Sequence, residues 1–218
     1  MSIFSIDFIV FSIGNYPLSL IELLGTLSGL LSVWWAARAN ILTWPSGILN
    51  IFCFFLLFYQ SQLYSDMFLQ VFFMATTVYG WRSWAKASRN KEIEIGTIKL
   101  KEWIIYLLII ILGTFGWGLL MNNIHYLFPQ IFLQKASLPY IDAFTAVASV
   151  IATFLLARKK WESWLLWVIV DLVSIFVYFY KGLFVVAVEY IIFFGIASYG
   201  LVHWINKKNR FDVKNLRP

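Results

Sequence analysis

The chain has 218 residues, of which 61% are hydrophobic, 20% aromatic and only 13% charged, with a formal net charge of +6. A soluble domain is about half apolar and about a quarter charged, so a single water-soluble core is excluded. The lone cysteine, Cys53, excludes an intrachain disulfide or a thiolate metal site and reads as a core residue.

Residues 1–20 hold a short apolar run without Lys or Arg, so they lack the basic start of a cleaved signal peptide and read as an interfacial segment. Seven apolar stretches follow, near 20–39, 41–60, 66–84, 102–121, 140–157, 161–180 and 184–204. Each approaches the roughly 20 residues that carry a helix across about 30 Å of hydrocarbon. Backbone groups in lipid must be paired internally, and runs such as IIYLLIIILGTF lack the alternation of a barrel strand. The expected fold class is an all-α membrane protein with seven transmembrane helices.

The basic charge is one-sided. If the connecting segments alternate across the bilayer, all but two of the 17 Lys and Arg fall on the same side. That side holds Arg38, the run from Arg82 to Lys101, the triplet Arg158 to Lys160 and the tail from Lys207 to Arg217. Only Lys135 and Lys181 fall on the other. The positive-inside rule makes the rich side cytoplasmic, with the N-terminus outside and the C-terminus inside. Topology and anionic lipid account for the charge, so nucleic acid is not an expected partner.

The sequence also matches itself. Residues 21–84 align without a gap on residues 141–204, placing Glu22 on Asp142, Arg38 on Arg158, Trp44 on Trp164, and Tyr79, Gly80 and Trp84 on Tyr199, Gly200 and Trp204. Each copy holds three spans with one span between them, so both copies face the same way. This predicts a parallel 3+1+3 repeat: a first bundle over 21–84, a basic loop and linker helix over 85–140, a second bundle over 141–204 and a basic tail over 205–218. Ligand sites favour the meeting place of such repeats.

Polar groups inside spans cost a few kcal/mol each and normally face a cavity or a partner. In the sixth span Trp164, Trp167, Asp171, Ser174 and Tyr178 recur at helical spacing on one face, and in the third Asp66, Gln70, Thr77 and Trp81 do the same. Asn50 stands in the second span and Glu189 with Tyr190 in the seventh. Asp171 is too deep for its short side chain to reach water. An aromatic ring and a carboxylate on one face suit a flat cation, through stacking and charge neutralisation, while Asn50 and Gln70 supply amide recognition. The expected substrate-binding set is therefore Asn50, Gln70, Trp164, Trp167, Asp171, Glu189 and Tyr190. The competing reading makes Asp171 and Glu189 neutral interhelical hydrogen-bonding groups and the tryptophans packing residues. Gly25 and Gly29 form a GxxxG element suited to close helix approach, and Gly113, Gly116 and Gly118 also read as packing. His125 and His203 lack metal-ligand neighbours, and with no HExxH, GxSxG or P-loop the sequence calls for no cofactor.

The segments IELLGTLSGLL (21–31), GILN (47–50), LYSDMFLQVFF (63–73) with YGW (79–81), and SWLLWVIVD (163–171) with VEYII (188–192) form an ordered set. Over roughly residues 18–206 it resembles the PnuC-type nicotinamide riboside transporters of the Pnu family. The resemblance implies a SWEET-like fold, a homotrimer in the bacterial inner membrane, and facilitated diffusion of the vitamin with trapping by a cytosolic kinase. By the same resemblance Gln70 matches a substrate-contacting glutamine, and Trp167 with position 171 matches a Trp-x-x-x-Asn contact pair in which this chain has Asp. Thiamine, whose ring is also cationic, is the alternative substrate. An intramembrane enzyme using Asp171 and Glu189 as acid and base, and a purely structural subunit, are the readings from other classes.

Overall fold

The computed structural model describes residues 4–13, 16–60, 64–88, 94–130, 138–180 and 184–215. Lys135 and Lys181, which mark the poor side of the charge count, lie outside them, as does the side chain of Asp66. Seven helices follow a short antiparallel hairpin. The hairpin is β1 (Ile9–Ile13) and β2 (Tyr16–Ser19). The helices are α1 (Leu20–Ala37), α2 (Thr43–Gln60), α3 (Tyr64–Ser88), α4 (Leu100–Leu127), α5 (Pro139–Ala157), α6 (Glu162–Tyr180) and α7 (Phe184–Asn215). All seven expected helices are present, with α4 and α7 extending well past their expected ends. Among the described residues α1, α4, α5, α6 and the stretch Ala187–Phe211 of α7 are long and apolar enough to cross a membrane. α2 opens instead on Thr43-Trp-Pro-Ser-Gly, and α3 ends among Arg82 and Lys86.

The reading of residues 1–20 as an interfacial segment did not anticipate a hairpin. Its Ile, Val and Phe residues favour a pleated backbone. Gln60 at the end of α2 holds the preceding segment, its Nε2 donating to Phe4 O at 2.8 Å and its Oε1 accepting from Ile6 N at 3.0 Å. Ser19 then caps α1, its Oγ accepting from Glu22 N at 3.3 Å, which satisfies a backbone donor that a helix start otherwise leaves open.

The helices fall into two compact units: Met1–Glu94 with Ala157–Lys159 and Val202–Pro218, and Ile95–Leu156 with Lys160–Leu201. In the first, α1 and α2 are clasped by reciprocal hydrogen bonds, Ser32 Oγ to Thr43 O at 2.8 Å and Thr43 Oγ1 to Ser32 O at 2.9 Å. Trp44 lies against Gly80 of α3 and meets Trp84 edge-on at 5.2 Å. Trp204 completes the cluster, with its ring 5.9 Å from Trp84 and its Nε1 donating to Ala36 O at 3.1 Å. In the second unit α4, α5 and α6 share an apolar cluster of Ile110, Ile151, Ala152, Leu155 and Leu166. Gly113 faces Val147, and Gly118 admits the ring of Tyr140. A Cβ at Gly116 would meet nothing within 4 Å among the described residues.

Two local features recur at equivalent positions of the aligned segments. The α1–α2 and α5–α6 turns each place a non-glycine residue in the left-handed region at the same repeat position, Ala39 at φ 51° and Lys159 at φ 57°. Trp164 lies on Gly200 as Trp44 lies on Gly80. A methyl group at either glycine would enter the indole, whereas Gly116 and Gly195 border open space. Gly80→Ala and Gly200→Ala are therefore expected to abolish a monodisperse peak in detergent size-exclusion chromatography, while Gly116→Ala and Gly195→Ala leave it unchanged.

Candidate functional site

The polar face of the sixth helix is split by burial and packing. Trp164, at its N-terminal end, is fully buried against Gly200, so the ring serves the contact between α6 and α7. Trp164 was expected in the substrate-binding set, and its indole lies against the Gly200 backbone. Three residues on, Trp167 is half-buried and packs on the edge of the apolar cluster. One turn further, Asp171 is only 3% exposed at the centre of the helix, and Ser174 is equally buried.

Across from them α7 presents Glu189 and Tyr190, both half-buried. The rings of Tyr178 and Tyr190 stack at 5.2 Å with planes 18° apart, and Phe193 meets Tyr190 edge-on at 6.1 Å. Ser174 hydrogen-bonds the Tyr190 hydroxyl, and the carboxylates of Asp171 and Glu189 lie within electrostatic reach of it. Ser174 and Tyr178 thus gather on Tyr190 between α6 and α7, with Asp171 and Glu189 within electrostatic reach of the same ring. Among the described residues no cation neutralises Asp171. An isolated ionised carboxylate in a low-dielectric interior costs several kcal/mol, so this arrangement favours a positively charged occupant or a proton.

The residues expected from the first copy sit in the other unit and differ in their use. Asn50 donates from Nδ2 to Gly25 O at 2.9 Å, and a Cβ on Gly29 would come within 2.7 Å of the same nitrogen. Its amide nitrogen therefore joins α2 to the GxxxG face of α1 with one of its two hydrogens. Gln70 is half-buried on α3, Thr77 on the same face is buried, and Trp81 is exposed. Gln70 and Tyr190 hold the same repeat position, as do Ile51 and Asp171, so the central carboxylate belongs to the second copy alone.

The spacing of Ser174 and Tyr178 had placed them on the right face, but nothing in the sequence distinguished them as partners of Tyr190. Glu162 was missed altogether. It is a fully buried carboxylate at the first residue of α6, and its only sequence signal is an acid two positions after the basic run Arg158 to Lys160.

Because Ser174 and Tyr178 hold Tyr190 by separate interactions, Tyr190→Phe keeps the stack and removes the hydroxyl. It is expected to lower stability by about 1 kcal/mol. Tyr190→Ala, which removes both, is expected to lower the detergent thermal midpoint by at least twice as much as Tyr190→Phe.

A polytopic helical bundle with buried acidic and aromatic groups inside its helices is an arrangement that membrane transporters use. A family model described as nicotinamide mononucleotide transporter matches residues 19–206, and the chain belongs to that family. It is similar to the nicotinamide riboside transporter PnuC of Escherichia coli (strain K12), with 32% identity over 94% of this chain and 95% of that protein. It is also similar to the riboflavin/roseoflavin transporter RibM of Streptomyces davaonensis, with 24% identity over 87% of this chain and 86% of that one. The crystal structure of the vitamin B3 transporter PnuC matches its fold with a TM-score of 0.66 at 18% identity, covering 88% of this chain and 83% of that chain. The family is one of transporters, so the acid and base reading of Asp171 and Glu189 is set aside.

Proposed function

We propose that the chain takes up nicotinamide riboside by facilitated diffusion, with Trp167 stacking on the pyridinium ring and Asp171 neutralising its charge. The observation that carries this reading is Asp171 itself, buried at mid-helix without a cationic partner among the described residues and one helical turn from Trp167. A fixed positive charge on an aromatic ring answers both groups at once. Ser174, Glu189 and Tyr190 supply hydrogen bonding for the ribose and carboxamide, and Gln70 enters as a further contact on the resemblance alone. The proposal includes a bacterial inner membrane location with the N-terminus outside, which rests on the lysine and arginine bias. A homotrimeric assembly and trapping of the vitamin by a cytosolic kinase come from the family resemblance.

Calorimetry on the purified protein is the test. Trp167→Ala and Gln70→Ala are each expected to weaken riboside binding by about tenfold or more, equivalent to at least about 1.4 kcal/mol. Wild-type affinity in both variants overturns the site. Asp171→Asn is expected to weaken binding of the cationic riboside by a similar factor, yet leave binding of its uncharged dihydro form unchanged. The likeness to a riboflavin carrier over most of the chain favours one rival reading, transport of a different ring-bearing vitamin. Displacement of bound riboside by equimolar riboflavin or thiamine would decide for that reading.

A further inference from the structure

The segment Ile95–Lys99, ahead of α4, lies along the turn between α5 and α6. Gly96 forms a parallel bridge with Lys160 and accepts from Trp161 N at 3.3 Å. Thr97 accepts from Lys160 Nζ at 3.0 Å and, through Oγ1, from Trp161 Nε1 at 3.2 Å. Ile98 N donates to Glu162 Oε1 at 2.9 Å, and that carboxylate is 0% exposed. A carboxylate at the start of a helix is favoured by the helix dipole. Here it also reaches out to fix a neighbouring strap. Ile98, itself buried, enters the same apolar cluster as Leu166, and Trp167 packs against that cluster. Leu166 and Trp167 lie about one turn beyond Glu162 on α6.

The first copy is built otherwise. At the position of Glu162 it has Leu42, 46% exposed, and the turn closes on itself through Leu42 N donating to Asn40 Oδ1 at 2.9 Å. The strap therefore serves only the copy that carries Trp167 and Asp171.

We propose that Glu162 and Ile98 are positioning residues for Trp167: Glu162 fixes the strap, the strap seats Ile98 in the cluster, and the cluster sets the indole that receives the ligand. This rests on the reading of Trp167 as a ligand contact. The experiment measures riboside uptake into proteoliposomes as a function of concentration, with amide hydrogen exchange of residues 95–99 alongside. Glu162→Ala and Ile98→Ala are expected to raise the half-saturating concentration about fivefold while the maximal rate stays within about twofold. Glu162→Gln, which keeps an oxygen acceptor, is expected to remain close to wild type. Adding Glu162→Ala to Trp167→Ala is expected to weaken uptake no further, because both changes act on the same ring. Fast exchange at Ile98 in Glu162→Ala with an unchanged half-saturating concentration overturns the inference, and so does full additivity in the double variant. If Glu162→Ala does not fold, Ile98→Ala and its double variant with Trp167→Ala decide alone. Unchanged uptake in Trp167→Ala removes the underlying site instead, which separates that failure from a failure of the strap.

Discussion

In each copy of the repeat an indole occupies the place where a side chain on the third helix would begin, Trp44 at Gly80 and Trp164 at Gly200. Apolar surface alone does not drive helices together in hydrocarbon, because the lipid is as apolar as the side chains. Close contact and hydrogen bonds have to do so. The tryptophan seated on glycine supplies that contact between the second and third helices of each copy. The Ser32–Thr43 clasp and the Asn50–Gly25 bond supply the polar counterpart between α1 and α2. With these contacts made, the residues about two turns further along α6 are held opposite α7, where Asp171 lies.

The two copies have then diverged in chemistry on a shared frame. Where the first has Ile51, packed away, the second has Asp171. Where the first has Gly47 beside Ser32, the second has Trp167. A carboxylate and an indole one turn apart, backed by the Tyr178–Tyr190 stack, give the second unit a charged and aromatic surface that the first lacks. The same unit is the one whose entry turn is held by the strap and Glu162. The strap and the buried acidic and aromatic groups therefore occur in the same unit.

Much of the fold was legible from apolar run length and from the register of the repeat, because lipid forces every span to satisfy its own backbone and leaves few alternatives to a helix. The site was legible only in part. Periodicity grouped Trp164 with Trp167 and Asp171, yet the two tryptophans differ in use, since one meets a glycine on α7 and the other the rim of an apolar cluster. Asn50 was read as a recognition group and also bonds across to α1, where the Gly25 carbonyl lies within reach of its amide. Residues 1–20 gave no sign of a hairpin, whose pairing depends on the partner strand and on Gln60, far along the chain.

By itself, then, the sequence determined the number and nature of the helices, their duplication and the side chains able to meet a cation. These follow from composition and spacing, which are properties of the chain alone. Only the tertiary structure decided which of those side chains are consumed in joining helices, that Ser174 and Tyr178 hold Tyr190, and that Glu162 fastens a strap more than sixty residues away. Those outcomes depend on which backbone carbonyl, ring or amide lies opposite, and that is set by packing between elements distant in sequence.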